Sequence, residues 1–254
     1  MDQEPTVTVI TKEYLEEKRR KEKEEEERKQ WLERPSVWNE SIKIDGQVID
    51  LVNYNPDFEL TDQHRRELTD VIVKLRRINL AVAERVKRIT FENEQPSSVY
   101  QNEDFPYNGT VKRDFGAIVL WRRGQQLDIP HRTGVVSNFQ GTVAHEAFHY
   151  GDEDYESGWR SKFGWKYCSD YPEEWEFVQG SDRSWKNQQT GEVHPNSQFT
   201  RRPELCLNDY ARLQWQEDYA DCGVVVLFAS EVLKEISPEK MEMIQNPAII
   251  SDNE

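Results

Sequence analysis

The sequence predicts an α+β fold, and three observations support this prediction. Residues 42–52 alternate apolar and polar side chains around Asp45-Gly46, a dipeptide typical of a tight turn between antiparallel strands. Residues 116–121 form an unbroken apolar run, which indicates a buried strand. Other segments repeat apolar residues every three to four positions, as helices do. We therefore expect a small mixed sheet packed on a helix, followed by a mainly helical C-terminal half.

A charged arm precedes the predicted sheet. From Thr11 to Glu33 the chain is rich in opposite charges at helical spacing, and it has no apolar stripe between Leu15 and Trp31. Such pairs can support a solvated helix, but a coiled coil needs the stripe. We predict that residues 1–34 form a helical or disordered arm. Residues 35–254 would form one domain, with a cleft between its halves at 35–151 and 152–254.

The first predicted hairpin is followed by a long helix. Thr61 is a suitable N-cap, and we expect His64, in the first turn, to be exposed. The apolar face would consist of Leu68, Val71, Ile72, Leu75, Ile78, Leu80 and Val82. Residues 88–92 read as a strand and residues 93–108 as a polar loop. Residues 126–131 are predicted to be an edge strand, where Pro130 is tolerated, and we assign His131 a structural role.

The most informative stretch is residues 141–150, which contains His-Glu-x-x-His among apolar residues. On a helix, His145 and His149 share one face, one turn apart, so two imidazoles can bind one metal ion. Catalytic zinc usually takes three protein ligands and leaves one position for water, so a third ligand must come from elsewhere. Glu146 lies beside this face and is placed to take a proton from the water on the metal.

A second helix, predicted to reach about residue 235, offers the third ligand. Glu217 and Asp221 are one helical turn apart, so one carboxylate can bind zinc while the other accepts the free N–H of a ligand histidine. Each residue also has an ordinary structural explanation. Glu217 could be a solvated helix carboxylate, and Tyr210 could be a core aromatic residue.

Together the two blocks resemble the gluzincin metallopeptidases, the thermolysin-like class, which combine His-Glu-x-x-His with Glu-x-x-x-Asp on a later helix. Residues 217–221, Glu-Asp-Tyr-Ala-Asp, are similar to the Glu-Asp-Phe-Ala-Glu form of the small and lethal-factor-like members. Those members also have a Tyr-Ala pair seven residues before the ligand glutamate, as Tyr210-Ala211 is here. Two departures are Tyr219, where phenylalanine is commoner, and Asp221, where glutamate is common.

The resemblance implies a zincin-like α+β fold and a zinc endopeptidase with one Zn²⁺ per chain and a peptide or protein substrate. The implied metal ligands are His145, His149 and Glu217. Glu146 would activate the zinc-bound water, Tyr210 would stabilise the oxyanion, and Asp221 would orient a ligand histidine. In zincins an edge strand ahead of the active helix aligns extended substrate, a role that we expect residues 126–131 to take.

Composition restricts the partners and the setting. A net charge of −15 argues against nucleic acid, whose phosphates would be repelled. No segment approaches transmembrane length, and the acidic start lacks the apolar run of a secretory signal. The three cysteines, Cys168, Cys206 and Cys222, form no pairing motif. We therefore expect a cytoplasmic protein that binds neither nucleic acid nor membrane.

Two alternatives stay open at this point. The first is a latent or inactive zincin fold that serves as a binding or structural module through its charged arm, although retention of Glu146 argues against it. The second is a pro-enzyme whose terminal segment inhibits it by occupying the cleft until it is cut.

Overall fold

The computed structural model describes residues 12–93, 108–178, 184–194 and 197–246. The chain divides into two units between Ser36 and Val37. The described part of the first unit contains helix α1 (Lys12–Glu33), so the charged arm is helical there. Its exposed side chains form ion pairs one turn apart, such as Lys21 with Glu17 at 2.8 Å. Water screens each of these exposed pairs, so α1 is supported by many weak contacts.

The second unit contains a five-stranded mixed sheet, which confirms the α+β class. The strands are β1 (Trp38–Ile44), β2 (Gln47–Asn53), β3 (Arg88–Phe91), β4 (Gly109–Lys112) and β5 (Ala117–Leu120). Their order is β1-β2-β3-β5-β4. Strands β2, β3 and β5 are parallel, whereas β1 and β4 run antiparallel to their neighbours. The predicted hairpin is confirmed: Asp45 and Gly46 connect β1 to β2 with φ of 46° and 85°, the positive values that a tight hairpin turn needs.

Six helices of the second unit lie within the described residues. They are α2 (Asp62–Ile78), α3 (Leu80–Arg85), α4 (Asn138–Phe148), α5 (Asp152–Lys162), α6 (Trp215–Ile236) and α7 (Pro238–Gln245). Helix α2 begins after the predicted N-cap Thr61. The predicted long helix breaks at Asn79, whose side chain accepts a hydrogen bond from the Val82 amide at 3.1 Å and starts α3. Leu80 is consequently 48% exposed, contrary to the prediction.

His64 is buried, so the expectation that it is exposed was wrong. Its Nδ1 accepts a hydrogen bond from the Thr61 amide at 3.2 Å and completes the helix cap. Its Nε2 lies 2.9 Å from the Gln125 carbonyl oxygen. The ring therefore links the start of α2 to the turn after β5, a tertiary contact that local sequence does not encode.

The prediction of an edge strand at residues 126–131 is also wrong. After β5 the chain forms a short 3-10 helix (Arg122–Gln125), and Pro130 makes only an isolated bridge to Ser137. The Gln125 side chain donates hydrogen bonds to the carbonyls of Glu92 and Leu120, each at 2.7 Å, and so turns the chain away at the end of the sheet. The edge position belongs to β4. Of the polar loop predicted at 93–108, residues 94–107 lie outside the described residues.

Helix α4 is buried because two glycines allow its neighbours to approach closely. A Cβ on Gly141 would lie 2.2 Å from Cγ of His131, so the buried His131 ring packs directly on the helix. A Cβ on Gly223 of α6 would lie 2.3 Å from the Phe148 ring. The first contact is consistent with the structural role assigned to His131, and the second allows α4 and α6 to pack closely.

The C-terminal half contains five short strands that the sequence did not predict, so it is less helical than expected. They are β6 (Trp165–Tyr167), β7 (Trp175–Phe177), β8 (Trp185–Asn187), β9 (Val193–His194) and β10 (Gln198–Thr200). Strands β6 and β10 pair with each other, and β7, β8 and β9 form a second small sheet. Trp175 and Phe199 pack with Cys168 in a small separate core.

Neither a disulfide nor a candidate bilayer-crossing helix occurs among the described residues. All three cysteines are free and buried.

A buried ion pair joins α7 to the first turn of α6. Lys240 Nζ lies 2.7 Å from both carboxylate oxygens of Asp218 and 2.8 Å from the Leu205 carbonyl oxygen. Trp159 Nε1 donates a further hydrogen bond to Asp218 at 3.0 Å. Neither Asp218 nor Lys240 is exposed to solvent. Because Asp218 follows Glu217 directly, this pair also fixes the backbone that carries the predicted third ligand.

Replacing Lys240 with Met should lower the free energy of unfolding by about 3–5 kcal/mol, because Asp218 would stay buried without its cation. Urea denaturation of the metal-free chain measures the loss. Lys234→Met is the matched control, since Lys234 pairs with Glu231 at 3.6 Å on the exposed surface and should change stability by less than about 0.5 kcal/mol. Similar small losses in both variants would contradict the prediction.

Candidate metal centre

The two histidines of the motif lie at the C-terminal end of α4. His145 occupies the last turn, and His149 is the C-cap residue and keeps a helical backbone, with φ of −60° and ψ of −15°. Their imidazoles therefore face the same side, with Nε2 of one 3.0 Å from Nε2 of the other. Both residues are buried.

Glu217, in the first turn of α6, brings its carboxylate to the same point. Its Oε2 lies 2.9 Å from His145 Nε2 and 3.7 Å from His149 Nε2. The ligand atoms of these three residues all lie within 4.8 Å of one another, and no other such group of His, Cys, Asp or Glu occurs among the described residues. The three predicted ligands thus converge from two helices.

These residues fit a zinc ion. Two imidazole nitrogens and one carboxylate oxygen form a donor set that catalytic zinc uses. Gln214 Nε2 donates to Glu217 Oε1 at 2.9 Å, whereas Glu217 Oε2 is buried and faces the Nε2 atoms of His145 and His149. A buried carboxylate oxygen that faces two imidazole nitrogens is an environment that a cation would satisfy.

Asp221 lies behind His145, one turn after Glu217. Its Oδ1 is 2.8 Å from His145 Nδ1, and Asn208 Nδ2 donates to its Oδ2 at 2.9 Å. Burial acts to raise the pKa of Asp221, but Arg132 and His145 outweigh it, and the pKa lies below its usual value. Asp221 is thus an ionised acceptor at the outer nitrogen of His145.

Arg132 is a site residue that the sequence analysis missed. It lies in the segment before α4, and its Nε donates to both carboxylate oxygens of Asp221, at 3.1 and 3.2 Å. Its guanidinium carbon lies 3.9 Å from the centre of the Tyr210 ring, and its Nη2 lies 2.9 Å from His145 Nε2. An arginine in a loop belongs to no motif, so only the tertiary structure could identify it.

Asp152 is the second residue that the analysis missed. Its Oδ2 lies 3.4 Å from His149 Nδ1, three residues along the chain. The i,i+3 spacing of His149 and Asp152 is the signal in the sequence that could have identified it.

A cleft of about 440 Å³ opens onto these groups. Both halves of the domain line it: β4 at Gly109–Val111 from the first, and Tyr210 and Gln216 from the second. Glu146 also lines it and is 7% exposed. Burial raises the pKa of Glu146, although His145 and His149 act in the opposite direction. The predicted base and the predicted oxyanion donor therefore share one cleft with the three candidate ligands.

Glu217 and His149 form an ion pair when no metal is bound. Burial acts to raise the pKa of Glu217, but His149 and His145 outweigh it and hold the pKa well below its usual value. Burial acts to lower the pKa of His149, whereas Glu217 and Asp152 raise it to about 10. His149 is thus protonated at neutral pH in the metal-free protein.

No protein-family model, curated protein or solved structure matches this chain.

Zinc binding should release about one proton at neutral pH. Zinc needs a neutral imidazole, and the pKa of His149 is raised to about 10, so the metal must displace the His149 proton. The apparent affinity should then rise about tenfold per pH unit between pH 7 and 9. Titration calorimetry in buffers of different ionisation enthalpy measures the proton release. A pH-independent affinity without proton release would contradict the assignment of His149.

Proposed function

We propose that the protein is a zinc-dependent endopeptidase. The observation that carries the proposal is the convergence of His145, His149 and Glu217 in a cleft that Glu146 and Tyr210 also line. A metal site that served only structure would be closed by a fourth protein ligand. Here the three candidate ligands border an open cleft, which is the arrangement that a hydrolytic site requires.

Glu146 is the general base in this proposal. It takes a proton from the attacking water and then passes it to the leaving amine of the cleaved peptide bond. Its buried position raises its pKa towards the range in which a carboxylate both accepts and returns a proton. When bound, zinc would polarise the substrate carbonyl and lower the pKa of water.

Tyr210 and Asp221 have supporting roles. Tyr210 donates its hydroxyl hydrogen to the oxyanion that forms on the substrate carbonyl. Arg132 packs on the Tyr210 ring and limits its movement, since the guanidinium carbon is only 3.9 Å from the ring centre. Asp221 accepts the Nδ1 hydrogen of His145 and so leaves Nε2 free to bind the metal.

Strand β4 is the proposed substrate-aligning edge, in place of residues 126–131. It stands at the end of the sheet and lines the cleft through Gly109, Thr110 and Val111. Within the described part of the chain, β5 is its only partner strand, so its other edge can pair with an extended peptide. The acidic net charge of −15 favours neutral or cationic peptides.

The proposal is tested with the parent chain and a Glu146→Gln variant, each loaded with zinc and incubated with a mixed peptide library. We expect one zinc per chain in both proteins and cleavage by the parent alone, read by mass spectrometry. Zinc in both proteins without cleavage, before and after limited proteolysis, would favour the inactive binding module. No zinc in the parent after loading would refute the ligand assignment.

A Tyr210→Phe variant should reduce kcat by about 10²–10³-fold and leave the zinc content unchanged, because only the oxyanion donor is lost. The phenylalanine ring can still pack against Arg132. Tyr167→Phe is the matched control, since Arg160 lies over the Tyr167 ring at 4.1 Å outside the cleft. Steady-state kinetics on a peptide that the parent cleaves measures kcat of each variant. Equal kcat in the parent and in both variants would exclude Tyr210 from the reaction.

A further inference from the structure

We propose that Asp152, held by Arg113, positions His149 for metal binding, as Asp221, held by Arg132, positions His145. This inference rests on the metal site of the proposed function and adds two positioning residues to it. Neither residue belongs to the two sequence motifs. Both line the same cleft.

The first step is the contact between Asp152 and the outer nitrogen of His149. His149 Nε2 faces His145 and Glu217, so Nδ1 is the nitrogen left to donate a hydrogen bond. Asp152 Oδ2 lies 3.4 Å from that Nδ1. Asp152 is only 4% exposed, so bulk water competes little for the hydrogen bond between its carboxylate and His149 Nδ1. A carboxylate at this position fixes the tautomer that leaves Nε2 free.

The second step is the attachment of Arg113 to both members of this pair. Its Nη2 donates to Asp152 Oδ1 and, at 2.6 Å, to the backbone carbonyl oxygen of His149. Its Nε donates to the same carbonyl oxygen at 3.0 Å. One guanidinium therefore holds the carboxylate and the backbone of the histidine that the carboxylate orients. Its Nη1 donates to Glu153 at 2.9 Å, so donors on all three nitrogens are engaged.

The third step is the comparison of the two histidines. Each candidate ligand has its outer nitrogen next to an aspartate, and each aspartate accepts hydrogen bonds from an arginine. The two sets come from different parts of the chain: Asp221 lies on α6, whereas Asp152 begins α5. The same arrangement built from unrelated segments indicates that both histidines need a fixed ring orientation. Because Arg113 directly follows β4, it also ties the proposed substrate edge to a metal ligand.

The test measures the zinc dissociation constant of the full chain by competition with a chromophoric chelator, so no activity is needed. Asp152→Ala should weaken zinc binding by about 10–100-fold, the range for loss of an outer partner. Asp152→Asn keeps an acceptor oxygen and should recover most of the affinity. If the alanine variant misfolds, Arg113→Met takes its place, and parent-like zinc affinity in that variant would overturn the inference. Arg113→Met should give a smaller loss than Asp152→Ala, because the carboxylate remains.

Glu153→Ala is the matched control. Glu153 is in the same turn of α5 and binds the same arginine, but its side chain is 74% exposed and its carboxylate pairs with Arg113 rather than with His149. Its removal should leave the zinc affinity unchanged. Parent-like affinity in folded Asp152→Ala would overturn the inference, as would equal losses in Asp152→Ala and Glu153→Ala.

Failure of this inference can be told apart from failure of the proposed function. A parent that binds zinc without cutting peptides, together with weakened binding in Asp152→Ala, refutes the peptidase and supports the positioning role. An active peptidase whose zinc affinity is the same in the parent and in Asp152→Ala supports the peptidase and refutes the positioning role. A parent that binds no zinc overturns both.

Discussion

The structure depends on the close packing of α4 against α6, which brings two imidazoles and a carboxylate together away from water. Burying such groups is costly unless each one has a partner. Glycine at position 223 of α6 permits the approach, because a side chain there would collide with the Phe148 ring of α4. Apolar packing therefore determines where the polar groups meet, and the polar groups determine what the site can bind.

The same requirement explains the other buried charges. Asp218 is enclosed by Lys240 and by the Trp159 ring nitrogen, and Asp221 by Arg132, Asn208 and His145. Such networks stabilise a fold less than an apolar core of equal volume would, but they hold side chains in defined orientations. In this protein they surround the first two turns of α6, where the candidate ligand Glu217 lies. The polar interior is thus concentrated where orientation matters for chemistry.

Much of this arrangement could be predicted from the sequence, because it depends on local spacing. The one-turn separations of His145 from His149 and of Glu217 from Asp221 place each pair on one helix face whatever the tertiary structure. The Asp45-Gly46 turn and the Thr61 cap are likewise local. Arg132 and Arg113 could not be predicted, since each acts on residues distant in sequence and neither belongs to a motif.

The wrong predictions have a similar cause. The segment at 126–131 has the composition of an edge strand. The Gln125 side chain, however, donates hydrogen bonds to the carbonyl oxygens of Glu92 and Leu120 at the end of the sheet, and the chain turns away there. His64 looked like a solvent-facing residue because its partner, the Gln125 carbonyl, is sixty-one positions away. The short strands after α5 are two or three residues long and have too little pattern to detect. Long-range hydrogen bonds decided the first two of these cases.

The Lys240 contact has a consequence for the order in which the chain can fold during synthesis. Asp218 is enclosed only when α7 (Pro238–Gln245) has packed on α6, and α7 is made after every candidate ligand. A nascent chain that already carries His145, His149 and Glu217 still has an unneutralised aspartate at the base of α6. The backbone that carries Glu217 therefore reaches its final surroundings only after α7 has left the ribosome.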